Sequence, residues 1–151
     1  MSAFNFYGNQ EKGIPGMKAD TTVDVIDSYA AKNSMNPGDV VYRYSANSVA
    51  GYTTVAGANK VVGVVVHTHK DYEGTGDYYE AGYNVPVMSF GDVYVAAGDD
   101  SIVAGGQAYV SVSGGSATFV SGGEGADSIS GMTYMSDASA AGDAVVLRIR
   151  K

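Results

Sequence analysis

The chain has no cysteine and no tryptophan, and its 151 residues include a single leucine, Leu147. Without cysteine there is no disulfide framework, no thiolate nucleophile and no cysteine-based zinc site. One leucine argues against a helical bundle, because leucine is the usual filler of helices. Lys and Arg are missing from residues 71–147, which hold 11 acidic side chains. A face without cations repels phosphates, so the body is not expected to bind nucleic acid. The opening MSAFNFYGNQEKG lacks a basic region followed by a long apolar run. The sequence is therefore read as having neither a signal peptide nor a membrane span.

What is present points the other way from helix. Valine occurs 21 times and isoleucine 5 times, with 12 tyrosines; these side chains suit a pleated, half-buried surface. Glycine also occurs 21 times, about twice the usual share, as many tight turns between short strands require. The length suits one domain. The expected fold is all-β, a single β-sandwich or β-barrel of short antiparallel strands with an extended irregular N-terminal arm. The net charge of −7 is uneven, since residues 1–70 carry 6 basic and 5 acidic side chains. Either the acidic body is a solvated surface, or the near-neutral N-terminal part docks on a partner while the body faces water.

Residues 1–39 are assigned to the arm and residues 40–151 to the body. The arm mixes Gly, Pro, Asn and Lys with apolar anchors at Phe4, Phe6, Tyr7, Ile14, Met17 and Met35. Thr22–Ile26 is a candidate short strand, and Asp27 can cap a brief helix over Ser28–Lys32. The aromatic anchors predict a segment laid over another surface. Beyond residue 38, apolar runs alternate with Gly-rich punctuation: Val40–Tyr44, Val61–His67, Asn84–Ser89, Val93–Ala97, Ala108–Val112, Ala117–Val120, Met132–Met135 and Ala144–Ile149. Such spacing marks a sandwich or barrel. The unbroken run Val61–Val66 predicts a central strand buried on both faces. Pro86 lacks an amide donor and is expected at an edge or bulge. Three Gly-Asp pairs, at 38–39, 91–92 and 142–143, each precede a strand and are read as turns in which Asp bonds its own downstream backbone.

Motifs for chemistry are weak. His67 and His69 share one face of a strand end, with Asp71 and Glu73 nearby as further metal ligands, but a solvated strand end explains them better. The acidic, Tyr-rich segment 71–80 has the oxygen ligands for calcium or a carboxylate pair for glycoside hydrolysis. It lacks the spacing of the first and the contrasting environments of the second. Gly122–Ser130 matches one unit of a calcium-binding β-helix repeat that works only in tandem. Tyr72, Tyr78, Tyr79 and Tyr83 could form a sugar-binding surface, although packing of the loop is the simpler reading. No P-loop, dinucleotide fingerprint or nucleophile elbow is present. The expectation is no catalytic residue, no metal and no cofactor.

The order of Gly13-Ile14-Pro15-Gly16-Met17, Pro37-Gly38-Asp39-Val40-Val41, Val61–Val66, Tyr83-Asn84-Val85-Pro86-Val87, Gly91-Asp92-Val93-Tyr94-Val95, Ala104–Val110 and Gly142–Leu147 resembles the structural cement, or head decoration, proteins of tailed bacteriophages. The resemblance spans roughly residues 13–149. It implies a non-enzymatic virion component on the outer capsid surface, made in the host cytoplasm. The partners it implies are the major capsid protein and other copies of itself, as a dimer or trimer. Capsid or subunit contacts then fall to Phe4, Phe6, Tyr7, Ile14, Pro15 and Met17. An arm ordered only on the lattice suits this role. Ordering costs about 1–2 kcal/mol per residue, and each buried large side chain returns about 1.5–3 kcal/mol. The alternative is a carbohydrate- or receptor-binding β module of a virion fibre.

Overall fold

Most of the described valines lie in paired strands. The computed structural model describes residues 13–19, 23–52, 60–67 and 79–150. The strands are β1 (Val25–Ala31), β2 (Val40–Ser45), β3 (Ser48–Gly51), β4 (Val61–Val65), β5 (Asn84–Ala96), β6 (Gln107–Ser113), β7 (Ser116–Val120), β8 (Asp127–Tyr134) and β9 (Ala144–Arg150). Among the described residues there is no α-helix, so the fold is all-β as expected.

Strand β5 organises everything else. Its first half pairs with β1 on one side and β4 on the other. β4 pairs with β2, β2 with β3, and β3 returns to β1 in parallel. These five strands close into a small N-terminal barrel. The second half of β5 pairs with β9, which continues through β8 and β6 to β7. Ala97, directly after β5, bridges back to Phe119 in β7, and the Gly98 amide donates to the Phe119 carbonyl at 2.6 Å. The C-terminal lobe is thus a second ring hung on the same strand.

The valine run works as expected. Val41, Val65, Val85 and Val87 fill the barrel interior with Ala31, Met35, Val49 and Tyr79. Their sequence neighbours Val40, Val64, Val66 and Met88 point the other way, onto Val93, Val110, Ile129, Met132, Leu147 and Ile149 of the C-terminal lobe. Alternation of side chains along a strand sends adjacent residues to opposite faces, so two buried faces demand a continuous apolar sequence. Gly63 is needed where β4 presses on β5: a Cβ there would lie 1.9 Å from the Met88 carbonyl oxygen.

Several expectations are corrected. Ser28–Lys32 is not a helix: Val25–Ala31 is β1, and this part of the assigned arm is hydrogen-bonded into the sheet. Its backbone finds partners in β3 and β5, which outweighs the capping signal of Asp27. Asn84–Ser89 and Val93–Ala97 are one strand of 13 residues. Gly91-Asp92 is no turn; Gly91 takes φ 132° within the strand, and the Asp92 carboxylate is buried. Gly38 and Gly142 do form turns (φ 94° and 93°). Their aspartates accept from upstream amides, Asp39 from Asn36 and Asp143 from Ser139 and Ala140. Pro86 is not on an edge but inside β5, between Ser28 of β1 and Val66 just past β4. Val66 donates its amide to the Pro86 carbonyl, and Pro86 has no N–H to return. The Tyr79 hydroxyl supplies that missing bond, donating to the Val66 carbonyl at 2.7 Å.

Candidate functional site

Two Pro-Gly turns fix where the N-terminal segment lies. Pro15-Gly16 stacks on Pro37-Gly38: a Cβ on Gly16 would meet Pro37, and one on Gly38 would meet Pro15. Gly16 donates to the Tyr94 carbonyl, and its own carbonyl accepts from the His67 amide. This pins residues 13–19 against the second half of β5, where Lys18 bridges Val93. Of the contact residues expected from sequence, Ile14 (55% exposed) and Met17 (43%) face outward. Pro15 is half-buried on the second turn. Phe4, Phe6 and Tyr7 lie outside the described residues. Val23, Val25 and Ile26 add further exposed apolar area along the same side of β5, where Val25 pairs with Phe90.

Charge along both edges of β5 is held in pairs. Asp92, only 3% exposed, receives two bonds from Arg148, Nε to Oδ1 and Nη2 to Oδ2, both 2.9 Å. A fork-to-carboxylate geometry of this kind is the strong form of the ion pair. The Arg150 guanidinium stacks 4.4 Å from the centre of the Phe90 ring, and Lys18 pairs with Asp24. Sequence reasoning missed Asp92 as a site of burial; its one signal was a carboxylate among valines in Gly91-Asp92-Val93. Of the remaining described cations, Arg43 and Lys60 line the open mouth of the barrel, and the Lys32 ammonium lies over the Tyr44 ring. That mouth is a basin of about 710 Å³ bounded by Asp27, Tyr29, Arg43, Tyr44, Lys60 and Ser89, among others.

The opposite end, beyond Ala96, is acidic. Asp99 accepts from the Ser101 and Ser121 amides and the Ser121 hydroxyl. Asp137 accepts from the Ala104 amide, and Asp143 holds the turn before β9. Partial burial pushes the Asp99 pKa up, but those hydrogen bonds prevail and leave it below the usual value. These carboxylates tie loops to the sheet.

The candidates for chemistry resolve into structure. The His67 amide binds the Gly16 carbonyl. His69, Asp71, Glu73, Tyr72 and Tyr78 fall outside the described residues. Tyr79 is buried in the barrel core rather than offered to a sugar, while Tyr83 is exposed. In the stretch resembling a calcium repeat, Asp127 accepts the Tyr52 hydroxyl at 2.7 Å. Burial, then the hydrogen bond and charge of Asp127, push the Tyr52 hydroxyl up to about 12. Burial likewise raises Tyr134, whose hydroxyl donates to the Val120 carbonyl. Such phenols stay protonated and act as struts. Among the described residues, no three His, Cys, Asp or Glu side chains gather as a metal site. The arrangement is suited to surface contact: exposed apolar residues at Ile14, Met17, Val23, Val25 and Ile26, and carboxylates beyond Ala96.

Comparison with known proteins agrees in kind. The model of a family described as structural cement protein (E217 gp24/Pam3 gp6) matches residues 4–150. Among solved structures, a chain of the capsid of Myoviridae phage XM1 is similar over 99% of this chain and 99% of that chain. Its TM-score is 0.70 at 17% identity, a likeness of fold. No curated protein matches the chain.

Proposed function

The chain belongs to the structural cement protein family of phages, and on that premise we propose that it binds the outer surface of a tailed-phage head and stabilises contacts between major capsid subunits, without catalysing a reaction. The observation that carries this reading is the exposure of five large apolar residues, Ile14, Met17, Val23, Val25 and Ile26, on the two segments that pair with β5 at Lys18 and along β1. Single exposed apolar residues are ordinary, but several on one short stretch mark a contact surface. The contact residues are Phe4, Phe6, Tyr7, Ile14 and Met17, with Pro15 setting the position of the last two. The protein acts as a homo-oligomer, a dimer or trimer, so that modest contacts add through multivalency.

The test uses expanded shells that lack the protein. Purified chain is added and the particles are imaged by cryo-electron microscopy. Regular density on the outside is expected with the full chain. Removal of residues 1–12, or the substitution Met17→Asp, should deplete that density while leaving the melting temperature near that of the parent. Bare shells after saturation with the full chain would overturn the reading.

A further inference from the structure

We infer that the open mouth of the N-terminal barrel is a socket for a carboxylate-bearing segment of a partner protein. The mouth arises from the way inward-facing positions change along each strand. On β1 they run from buried Ala31 through half-buried Tyr29 to exposed Asp27. On β2 they run from buried Val41 to exposed Arg43 and Ser45, and on β5 from buried Val85 and Val87 to half-buried Ser89. A shift of register opposite Val41 and Tyr42 accompanies the turning of Val62 toward the barrel core. The result is a basin with an apolar floor and a polar rim. Its volume of about 710 Å³ falls in the range of small-ligand pockets.

The rim has the chemistry of an anion site. Arg43 and Lys60 face one carboxylate, Asp27, among the described lining residues. This excess of positive charge stands in a chain of net charge −7. Arg43 is already positioned: Nη1 donates to the Ala46 carbonyl at 2.9 Å, Nη2 to the Tyr29 hydroxyl at 3.4 Å, and the guanidinium lies 5.4 Å from the Tyr29 ring centre. A guanidinium has five donors in a fixed fork, so capacity remains for a carboxylate, and little side-chain freedom is left to lose on binding. Tyr44 on the rim is likewise steadied by the Lys32 ammonium, 4.9 Å from its ring centre. A nucleic acid is disfavoured, because its many phosphates would meet the acidic remainder of the chain. A short acidic peptide places one or two charges in the basin and keeps the rest clear. Asp27 on the same rim can accept from a peptide amide beside the bound carboxylate.

The inference rests on the cement reading only for the location of the partner; the binding itself belongs to the purified chain. The probe is a capped Gly-Glu-Glu-Gly peptide titrated into the full, isotopically labelled protein and followed by NMR. The same peptide with Gln for Glu, and inorganic phosphate, are the comparison arms. Saturable shifts are expected at Tyr29, Arg43, Tyr44 and Ser89. The Gln peptide should bind about tenfold more weakly, and Arg43→Gln should weaken the Glu peptide by about tenfold or more. Lys60→Gln should weaken it by less, and both variants should melt like the parent. Equal binding of the Glu and Gln peptides, indifference to Arg43→Gln, phosphate binding as well as the peptide, or no shifts in the basin would each overturn the socket. Shell decoration measured on the same proteins separates the two ideas. Normal decoration without peptide binding sinks the socket alone, and peptide binding without decoration sinks the cement reading alone.

Discussion

The N-terminal barrel and the C-terminal lobe share β5 but are built to different plans. The barrel encloses a thin core of small side chains, chiefly valines, with Met35 and Tyr79 as its large members. The C-terminal lobe gathers Ile102, Phe119, Ile129, Met132, Tyr134, Leu147 and Ile149, and also takes in Val40, Val64, Val66 and Met88 from the outer wall of the barrel. A five-stranded ring with so small an interior cannot bury enough surface to stand alone. Its outer wall is part of its neighbour's core. The larger lobe supplies stability, and the smaller one supplies an open mouth with charged residues at its rim.

The largest break of this comparison should come from Leu147→Ala, which opens a cavity in the shared core. A loss of about 3–4 kcal/mol is expected, seen by denaturant unfolding and by faster hydrogen exchange in both lobes. Exchange confined to the C-terminal lobe would show that the barrel does not lean on it. Next is Arg148→Ala, which strands the buried Asp92 carboxylate where β5 pairs with β9. Removing one partner of a buried pair costs about 3–5 kcal/mol, and partial exposure of Arg148, with Arg150 4.0 Å from Asp92, argues for about 3 kcal/mol. Arg148→Lys should recover only part of this loss, because lysine cannot reproduce the fork.

Smaller effects sharpen the barrel side. Tyr79→Phe leaves the Val66 carbonyl without its donor and should cost about 1–2 kcal/mol, read as a lowered melting temperature. In that background Pro86→Ala restores an amide opposite Val66 and should regain part of the loss, a coupling that a double-mutant cycle detects. A pH dependence is expected where Tyr52, just after β3, meets Asp127 of β8. The folded state holds the Tyr52 proton more tightly, at about 12 against 10.0 for the free side chain. The contribution is therefore complete below pH 10 and is lost as the pH rises through about 12. Tyr52→Phe should flatten this alkaline fall in the urea midpoint; an unchanged slope would remove Tyr52 as its source.

What the sequence made legible follows from how local each signal is. Val61–Val66 announces a strand buried on both faces because every residue in it is apolar or Gly. Beyond Val25 and Ile26, which the candidate strand Thr22–Ile26 includes, β1 stays hidden because Asp27 and Ser28 carry the signature of a helix start, and the long-range ladder that overrules it has no local trace. β3, Ser48–Gly51, is four residues without a large side chain. β5 reads as two strands because Gly91-Asp92 has the chemistry of a turn, and the reason it is not one lies 56 residues away at Arg148. Ile14 and Met17 stand out in the sequence as apolar residues in a polar stretch, and both are exposed. Arg43 and Lys60 were not found, since only closure of the barrel brings them to one rim.

Strand β5 runs for 13 residues, roughly 40 Å at the rise of an extended chain. It is bonded on one side to β4 and then β9, on the other to β1 and the segment at Lys18. A pull along its axis places these ladders in shear, so that many bonds must yield together instead of opening one after another like a zip. A molecule stretched between two anchoring points, one at each end of this strand, would carry tension through its stiffest element.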